Sequence, residues 1–159
     1  MTTNSHRYHV KSIWTGAGGQ GTATYAGYGR DIRAEIPGKT ALALSADPAF
    51  RGDASKLNPE DLFVTAVSSC HMLTYLALCA KHRITVLAYE DTADGTLEMA
   101  RDGGGAFSSI TLHPVVTVAA GSDQALAHAL HEQAGGLCFI ARSCKTPIHH
   151  EATIQAAAD

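Results

Sequence analysis

Apolar and polar positions alternate from Tyr8 to Trp14, which predicts a strand. The glycine-rich stretch Gly16 to Gly21 reads as a turn, and Thr22 to Tyr25 as the returning strand of a hairpin. Gly27 to Asp31 reads as a loop or an irregular strand end. Ile32 to Ile36 and Ala41 to Ser45 flank Pro37-Gly38 and predict a second hairpin. The polar run from Ala46 to Leu57 is a surface loop. Asn58-Pro59-Glu60-Asp61 then carries the marks of a helix start: a side-chain cap, proline at the first helical position and acids at the positive end of the dipole. Leu62, Phe63, Ala66, Val67, Cys70, Leu73, Ala77 and Ala80 follow at helical spacing, so the helix runs to about His82. Tyr75, Leu76 and Leu78 widen its apolar stripe, which predicts a central helix covered on most sides.

The second half begins with Ile84 to Ala93 and Thr96 to Arg101 around Asp94-Gly95, a hairpin signature. Gly103 to Gly105 is a turn and Phe107 to Ala119 a long strand. Ser122-Asp123 caps a second helix with Ala125, Leu126, Ala129 and Leu130 on one face, ended by Gly135-Gly136. Cys138 to Cys144 has no clear type, and Pro147 to Gln155 predicts a last strand. Strands joined mainly by hairpins, with two helices among them, predict antiparallel pairing and an α+β fold.

Composition narrows the function. With 159 residues the chain fits one domain spanning 1–159. It is 45% hydrophobic and 17% charged, enough for a packed core. A formal net charge of −3 excludes nucleic acid as a natural partner. The tract from Leu62 to Ala80 is broken by Thr65, Ser68, Ser69, His71 and Thr74, so it predicts a buried helix and no membrane partner. The N-terminal segment has no apolar stretch of the secretory kind, which predicts a cytoplasmic protein. In a reducing compartment four cysteines are core residues, metal ligands or redox-active thiols.

Gly16-x-Gly18-x-x-Gly21 matches a dinucleotide fingerprint by letter, but the residues after it favour a strand where the motif needs a helix N-terminus. Cys70 and Cys79 lie nine residues apart on one helix and cannot pair; Cys79 reads as a small core residue. Cys70 sits mid-helix, where the dipole helps little. A low pKa there would need a cation from elsewhere, with Arg30, Arg33, Arg51 and Arg142 as candidates. His71 reads as helix surface or interface. His128 and His131 read as solvated helix residues, with zinc held near Cys138 and Cys144 as a weaker reading that predicts stoichiometric bound metal.

Three segments carry a resemblance. Asn58-Pro-Glu-Asp-Leu-Phe-Val-Thr-Ala-Val-Ser-Ser-Cys70 resembles the hallmark helix of the OsmC/Ohr family, the osmotically induced and organic-hydroperoxide-resistance proteins. Cys138-Phe-Ile-Ala-Arg-Ser143 with Pro147 resembles its second cysteine segment, and Gly29-Arg30-Asp31 its arginine segment. The three occur in family order and cover nearly the whole chain. The resemblance implies an α+β, OsmC-like fold in which antiparallel sheets wrap central helices in an intertwined homodimer. It implies a thiol peroxidase reducing organic hydroperoxides, and hydrogen peroxide less well, without metal or organic cofactor. Cys70 would be the peroxidatic cysteine, Cys138 the resolving one, Arg30 the support of the thiolate and Glu60 the residue positioning Arg30. A dithiol, often a lipoyl group in this family, would reduce the resulting disulfide. The sequence departs from the family at Gly135, where a histidine is usual, at Arg142, where asparagine is usual, and in the extra thiol Cys144.

Glu60 and Cys70 lie ten residues apart, about 15 Å along a straight helix. Either the helix breaks between them or the site combines residues of two chains, and the second is expected here. The rival class is a non-catalytic, stress-related binding protein of the same fold with a passive Cys70.

Overall fold

The structure, a computed structural model, describes residues 4–158. They form two compact units that divide after Leu62, and the fold is α+β.

The N-terminal unit is built on a three-stranded antiparallel sheet in the order β1 (Lys11–Trp14), β2 (Ile32–Glu35), β3 (Leu42–Leu44). Its first hairpin differs from the expectation. Thr22 to Tyr25 forms turns, and the partner of β1 is β2, with Lys11 opposite Glu35 and Trp14 opposite Ile32. The intervening chain closes on itself instead. Gly29 N–H donates to Gly16 O at 2.7 Å, and Trp14 Nε1 donates to Gly29 O at 2.8 Å. Trp14 and Tyr25 both meet Tyr28 edge-on. Gly16 is required there, because a Cβ would stand 2.0 Å from Gly29 O. The Gly16–Gly21 segment is turn, not a helix N-terminus, as its sequence context implied. A short 3₁₀ turn, Pro48–Phe50, is capped by Asp47.

Helix α1 spans Pro59–Lys81 without a break. Its start is as expected. Asn58 Oδ1 accepts from Asp61 N–H at 2.7 Å, while Asp61 Oδ2 accepts from Asn58 N–H at 3.2 Å, a reciprocal capping box. The buried side differs from the expected stripe. Val67, His71, Tyr75, Leu78 and Cys79 are buried, whereas Leu73 is 67% exposed and Ala77 and Ala80 are exposed. A helix apolar around its whole circumference does not by itself select which side packs. Within one chain α1 is covered on one side, not most. The helix is long and apolar enough to cross a membrane, yet Ser68 donates to Asp91 and His71 is hydrogen-bonded to another ring.

The C-terminal unit holds two further sheets. One is ordered β4 (Val86–Asp91), β7 (Pro114–Val118), β9 (Thr153–Ala156); the other β5 (Asp94–Met99), β6 (Gly105–Leu112), β8 (Ile148–His150). Asp94-Gly95 is therefore no hairpin turn: both residues lie in β5, and β4 and β5 belong to different sheets. Gly95 fits because a Cβ there would come within 2.8 Å of Phe107 and Val64, so the glycine marks close packing. The expected long strand breaks at His113, and the expected last strand divides into β8 and β9. Each half joins a separate sheet, and β6–β8 and β7–β9 pair in parallel, so the pairing is mixed.

Helix α2 (Gln124–Leu137) starts at the Asp123 cap but runs through Gly135 and Gly136, where a stop was expected. Glycine weakens a helix interior by only about 1 kcal/mol, less than the packing of Ala127, Leu130 and Ala134 returns. Helix α3 (Phe139–Ser143) fills the segment of uncertain type. One core joins Tyr75, Leu78 and Cys79 of α1 to Val116, Val118 and α2; Cys79 is the small core residue expected. A second joins Val67 to Ile110 and Leu112, with Ile140 and Ile148 at its margin.

Replacing Asn58 by alanine removes one half of the capping box. Urea unfolding of Asn58→Ala is expected to show a loss of about 1 kcal/mol with an unchanged denaturant slope.

Candidate functional site

The two sulfurs that the sequence singles out meet in the C-terminal unit. Cys70 projects from the middle of α1. Cys138 sits at the joint between α2 and α3, closing one helix with its backbone N–H and capping the other with its side chain, where Sγ accepts from Ala141 N–H at 3.4 Å. The joint puts the Cys138 thiol and the N–H groups of Phe139 and Ile140 against Cys70.

Burial pushes the Cys70 thiol up. Hydrogen bonds to Cys138, to the N–H groups of Ile140 and Phe139 and to the Thr74 side chain outweigh it, so its pKa falls below the ordinary thiol value. Cys138 moves the other way. Burial first, and then its bond to Cys70, push it up to about 11. Of the pair Cys70 therefore ionises first, with the Cys138 S–H as a donor to it. No arginine is needed for this polarity. Cys144 is turned elsewhere, its Sγ donating to Ala141 O at 3.4 Å.

Arg30 and Glu60 lie in the N-terminal unit, where both line a cavity of about 380 Å³ with Trp14, Tyr28, Ile32 and Phe50. The Arg30 guanidinium donates to the carbonyls of Tyr28 and Tyr25, at 2.7 Å for the latter. It also lies over both rings, 3.9 Å from the Tyr28 centroid and 4.6 Å from that of Tyr25. Because α1 is continuous, the alternative of a helix break between Glu60 and Cys70 is excluded.

Three imidazoles gather beside the sulfur pair, and the sequence did not place them there. His71 and His131 are buried within the chain, where His71 was expected at the helix surface or an interface and His131 in solvent. His71 Nε2 and His131 Nδ1 are 3.0 Å apart, one ring donating to the other, and the rings are stacked. Tyr75 stacks on His131 at 3.8 Å. Burial first, then the neighbouring imidazoles, holds His71 down to about 4 and His131 down to about 3. Both are neutral at ordinary pH. The third ring, His150, lies 5.5 Å from His71 and 5.9 Å from His131, with its Nε2 3.4 Å from Glu132 Oε2. A signal for His71 was present: Val67, His71, Tyr75 and Leu78 form one stripe at spacings of four, four and three. Among the described residues no three or more His, Cys, Asp or Glu side chains converge as a metal cage.

A cavity of about 270 Å³ opens behind Cys138. Its lining includes His71, Glu132, Gly135, Arg142 and His150. A Cβ on Gly135 would lie 3.9 Å from His150 Nε2, so the ring rests over the glycine.

The family model described as OsmC-like protein matches residues 52–153. No curated protein matches the chain. Among solved structures, an OsmC-like protein of unknown function from Vibrio cholerae is 28% identical. It superposes with a TM-score of 0.84, over 94% of this chain and 100% of that one. An organic hydroperoxide resistance protein OsmC from Legionella pneumophila is 18% identical, with a TM-score of 0.70 over 94% and 97%. The organic hydroperoxide resistance protein OhrB of Bacillus subtilis is 17% identical, with a TM-score of 0.63 over 94% and 98%. At those identities the last two share the fold.

Two outcomes follow from the charge states. Iodoacetamide at pH 7 is expected to label Cys70 before Cys138, as peptide mass mapping would read; labelling of Cys138 first contradicts the assigned polarity. The buried imidazoles titrate below their unfolded value of about 6.5. Their neutrality costs nothing above that value, whereas below it the unfolded chain takes up protons that the folded chain refuses. Stability is therefore expected to fall from about pH 6.5 toward pH 4, measured as the urea midpoint. A midpoint constant across that window contradicts the neutral pair.

Proposed function

The chain belongs to the OsmC-like family, and from that membership and its sulfur pair we propose that it is a cysteine-based peroxidase that reduces organic hydroperoxides, and hydrogen peroxide less well. What carries the reading is the pairing of Cys70 with Cys138, in which the first thiol is shifted down and the second up, so that Cys70 is the one to ionise. The Cys70 thiolate attacks the distal oxygen of the hydroperoxide, the O–O bond breaks, and the leaving alkoxide takes a proton to become the alcohol. Cys70 is left as the sulfenic acid. Cys138 then attacks Cys70 Sγ, the S–O bond breaks and water leaves, closing a disulfide before further oxidation. A dithiol, lipoyl-type or other, returns both thiols by exchange and is itself oxidised to the disulfide.

Arg30 is assigned to the leaving oxygen and the thiolate, and Glu60 to holding Arg30 in place. Their shared cavity, whose exposed surface is mainly apolar although Thr22, Ser45 and Asp47 also line it, suits the organic part of a hydroperoxide. The reading places the complete site in a homodimer, one protomer's Arg30 and Glu60 serving its partner's sulfurs. The exposed Leu73, Leu137 and Phe139, apolar and close in sequence to the two cysteines, support a covering second copy. All four cysteines are free, in keeping with a reducing, cytoplasmic setting.

Cys70→Ser is expected to abolish hydroperoxide consumption and Arg30→Ala to cut it severely. Cys138→Ser should allow one turnover at most without added thiol. One equivalent of cumene hydroperoxide should lower the intact mass of the unaltered protein by about 2 Da, as a new disulfide requires. An unchanged mass would favour a non-catalytic binding protein whose ligand fills the Arg30 cavity.

A further inference from the structure

The second step of that cycle has a proton to remove. Cys138 is wholly buried, so bulk water does not reach its sulfur, and its thiol stands near 11. While Cys70 is a thiolate the S–H hydrogen is an asset, because it stabilises that charge. Once Cys70 is a sulfenic acid the same hydrogen blocks the attack.

We propose that His150, paired with Glu132 at the cavity behind Cys138, is the proton acceptor of the resolving step. The inference rests on the peroxidase reading above and deepens it. As the Cys138–Cys70 S–S bond forms, the Cys138 proton passes across the cavity to the imidazole. The S–O bond of the sulfenic acid breaks, and the departing hydroxide takes the proton back as water. Atoms balance: a thiol and a sulfenic acid become a disulfide and water, with His150 restored.

Geometry selects this ring among the three. His71 Nε2 and His131 Nδ1 are spent on one another and burial holds both rings neutral; His131 Nε2 has no partner, but His131 does not line the cavity. His150 lines the same cavity as Cys138 and has a carboxylate beside Nε2 to balance an acquired charge. The charged and titratable groups facing it are Glu132 and His131 of α2, His71 of α1, and Arg142 of α3 on the cavity wall. From β6 its register partner is the apolar Leu112, and the neighbouring Glu151 turns to His113 instead. Gly135 makes the arrangement possible, since a large side chain there would fill the space under the ring. The cavity has room for several water molecules, enough to carry a proton between groups that do not touch.

The test follows disulfide closure after a hydroperoxide pulse, by stopped-flow and acid-quenched mass, from pH 6 to 10. His150→Ala should slow closure about 100-fold at pH 7. Its rate should then climb close to tenfold per pH unit, because Cys138 must ionise unaided. Added imidazole should restore much of the rate by entering the vacated space, a rescue that a purely structural loss would not permit. Glu132→Gln, at a side chain 90% exposed and so harmless to folding, should slow closure severalfold. Normal closure in Glu132→Gln together with an unchanged pH slope in His150→Ala overturns the assignment, as does a slow His150→Ala that imidazole leaves untouched. Dimedone trapping in Cys138→Ser separates the two levels. Absence of the Cys70 adduct overturns the peroxidase reading itself, whereas an adduct alongside normal closure in His150→Ala removes only the role of His150.

Discussion

The hydrogen bond between Cys70 and Cys138 is the constraint on which the rest of the chemistry depends. Each sulfur alone is an unpromising group: one lies mid-helix, beyond useful reach of the dipole, and the other is sealed from solvent. Together they split one titration into two, lowering one thiol and raising the other. The backbone sharpens the split. Ending α2 and starting α3 at the same cysteine leaves the N–H groups of Phe139 and Ile140 without helical partners, and these donors point to Cys70. The lowering of the Cys70 thiol thus comes from neutral donors, without a guanidinium among them.

The same joint explains the tolerance of α2 for two glycines. A helix that stopped at Gly135 would release Cys138 from its bond to Ala134 O and from the geometry that caps α3. Packing of Ala127, Leu130 and Ala134 holds α2 intact through the glycines. The missing side chain at Gly135 then becomes space for an imidazole arriving from β8. The stacked His71, His131 and Tyr75 form the wall behind it: His71 Nε2 and His131 Nδ1 bond to each other and Tyr75 OH donates to Ala127 O, while His131 Nε2 is buried without a partner.

Strong local signals were legible. Asn58-Pro59-Glu60-Asp61 announced α1 through groups that satisfy their own backbone within one turn, and Asp123 did the same for α2. Both sulfurs and Arg30 were singled out as candidates by the resemblance of short segments to the family. Pairing was legible only in part. Asp94-Gly95 has the letters of a hairpin turn, yet β5 takes β6 as partner, and the 107–119 run changes sheets at His113. Thr22 to Tyr25 alternates like a strand but loses its place to Ile32–Glu35, because the tyrosines serve the cluster around Trp14 and Arg30.

By itself the sequence determined where helices begin, which segments are extended, and which two sulfurs and which arginine are candidates for chemistry. Helix starts and extended segments depend on neighbours within a few residues, and local periodicity and capping record them, whereas the sulfurs and the arginine stand out through the family resemblance of their segments. Only the tertiary structure decided that β8 and β9 run parallel to their partners, which side of α1 is buried, and that His71, His131 and His150 share one corner with Cys138. Those outcomes turn on contacts between residues tens of positions apart. The energy of such contacts belongs to surfaces that exist only once the chain is folded.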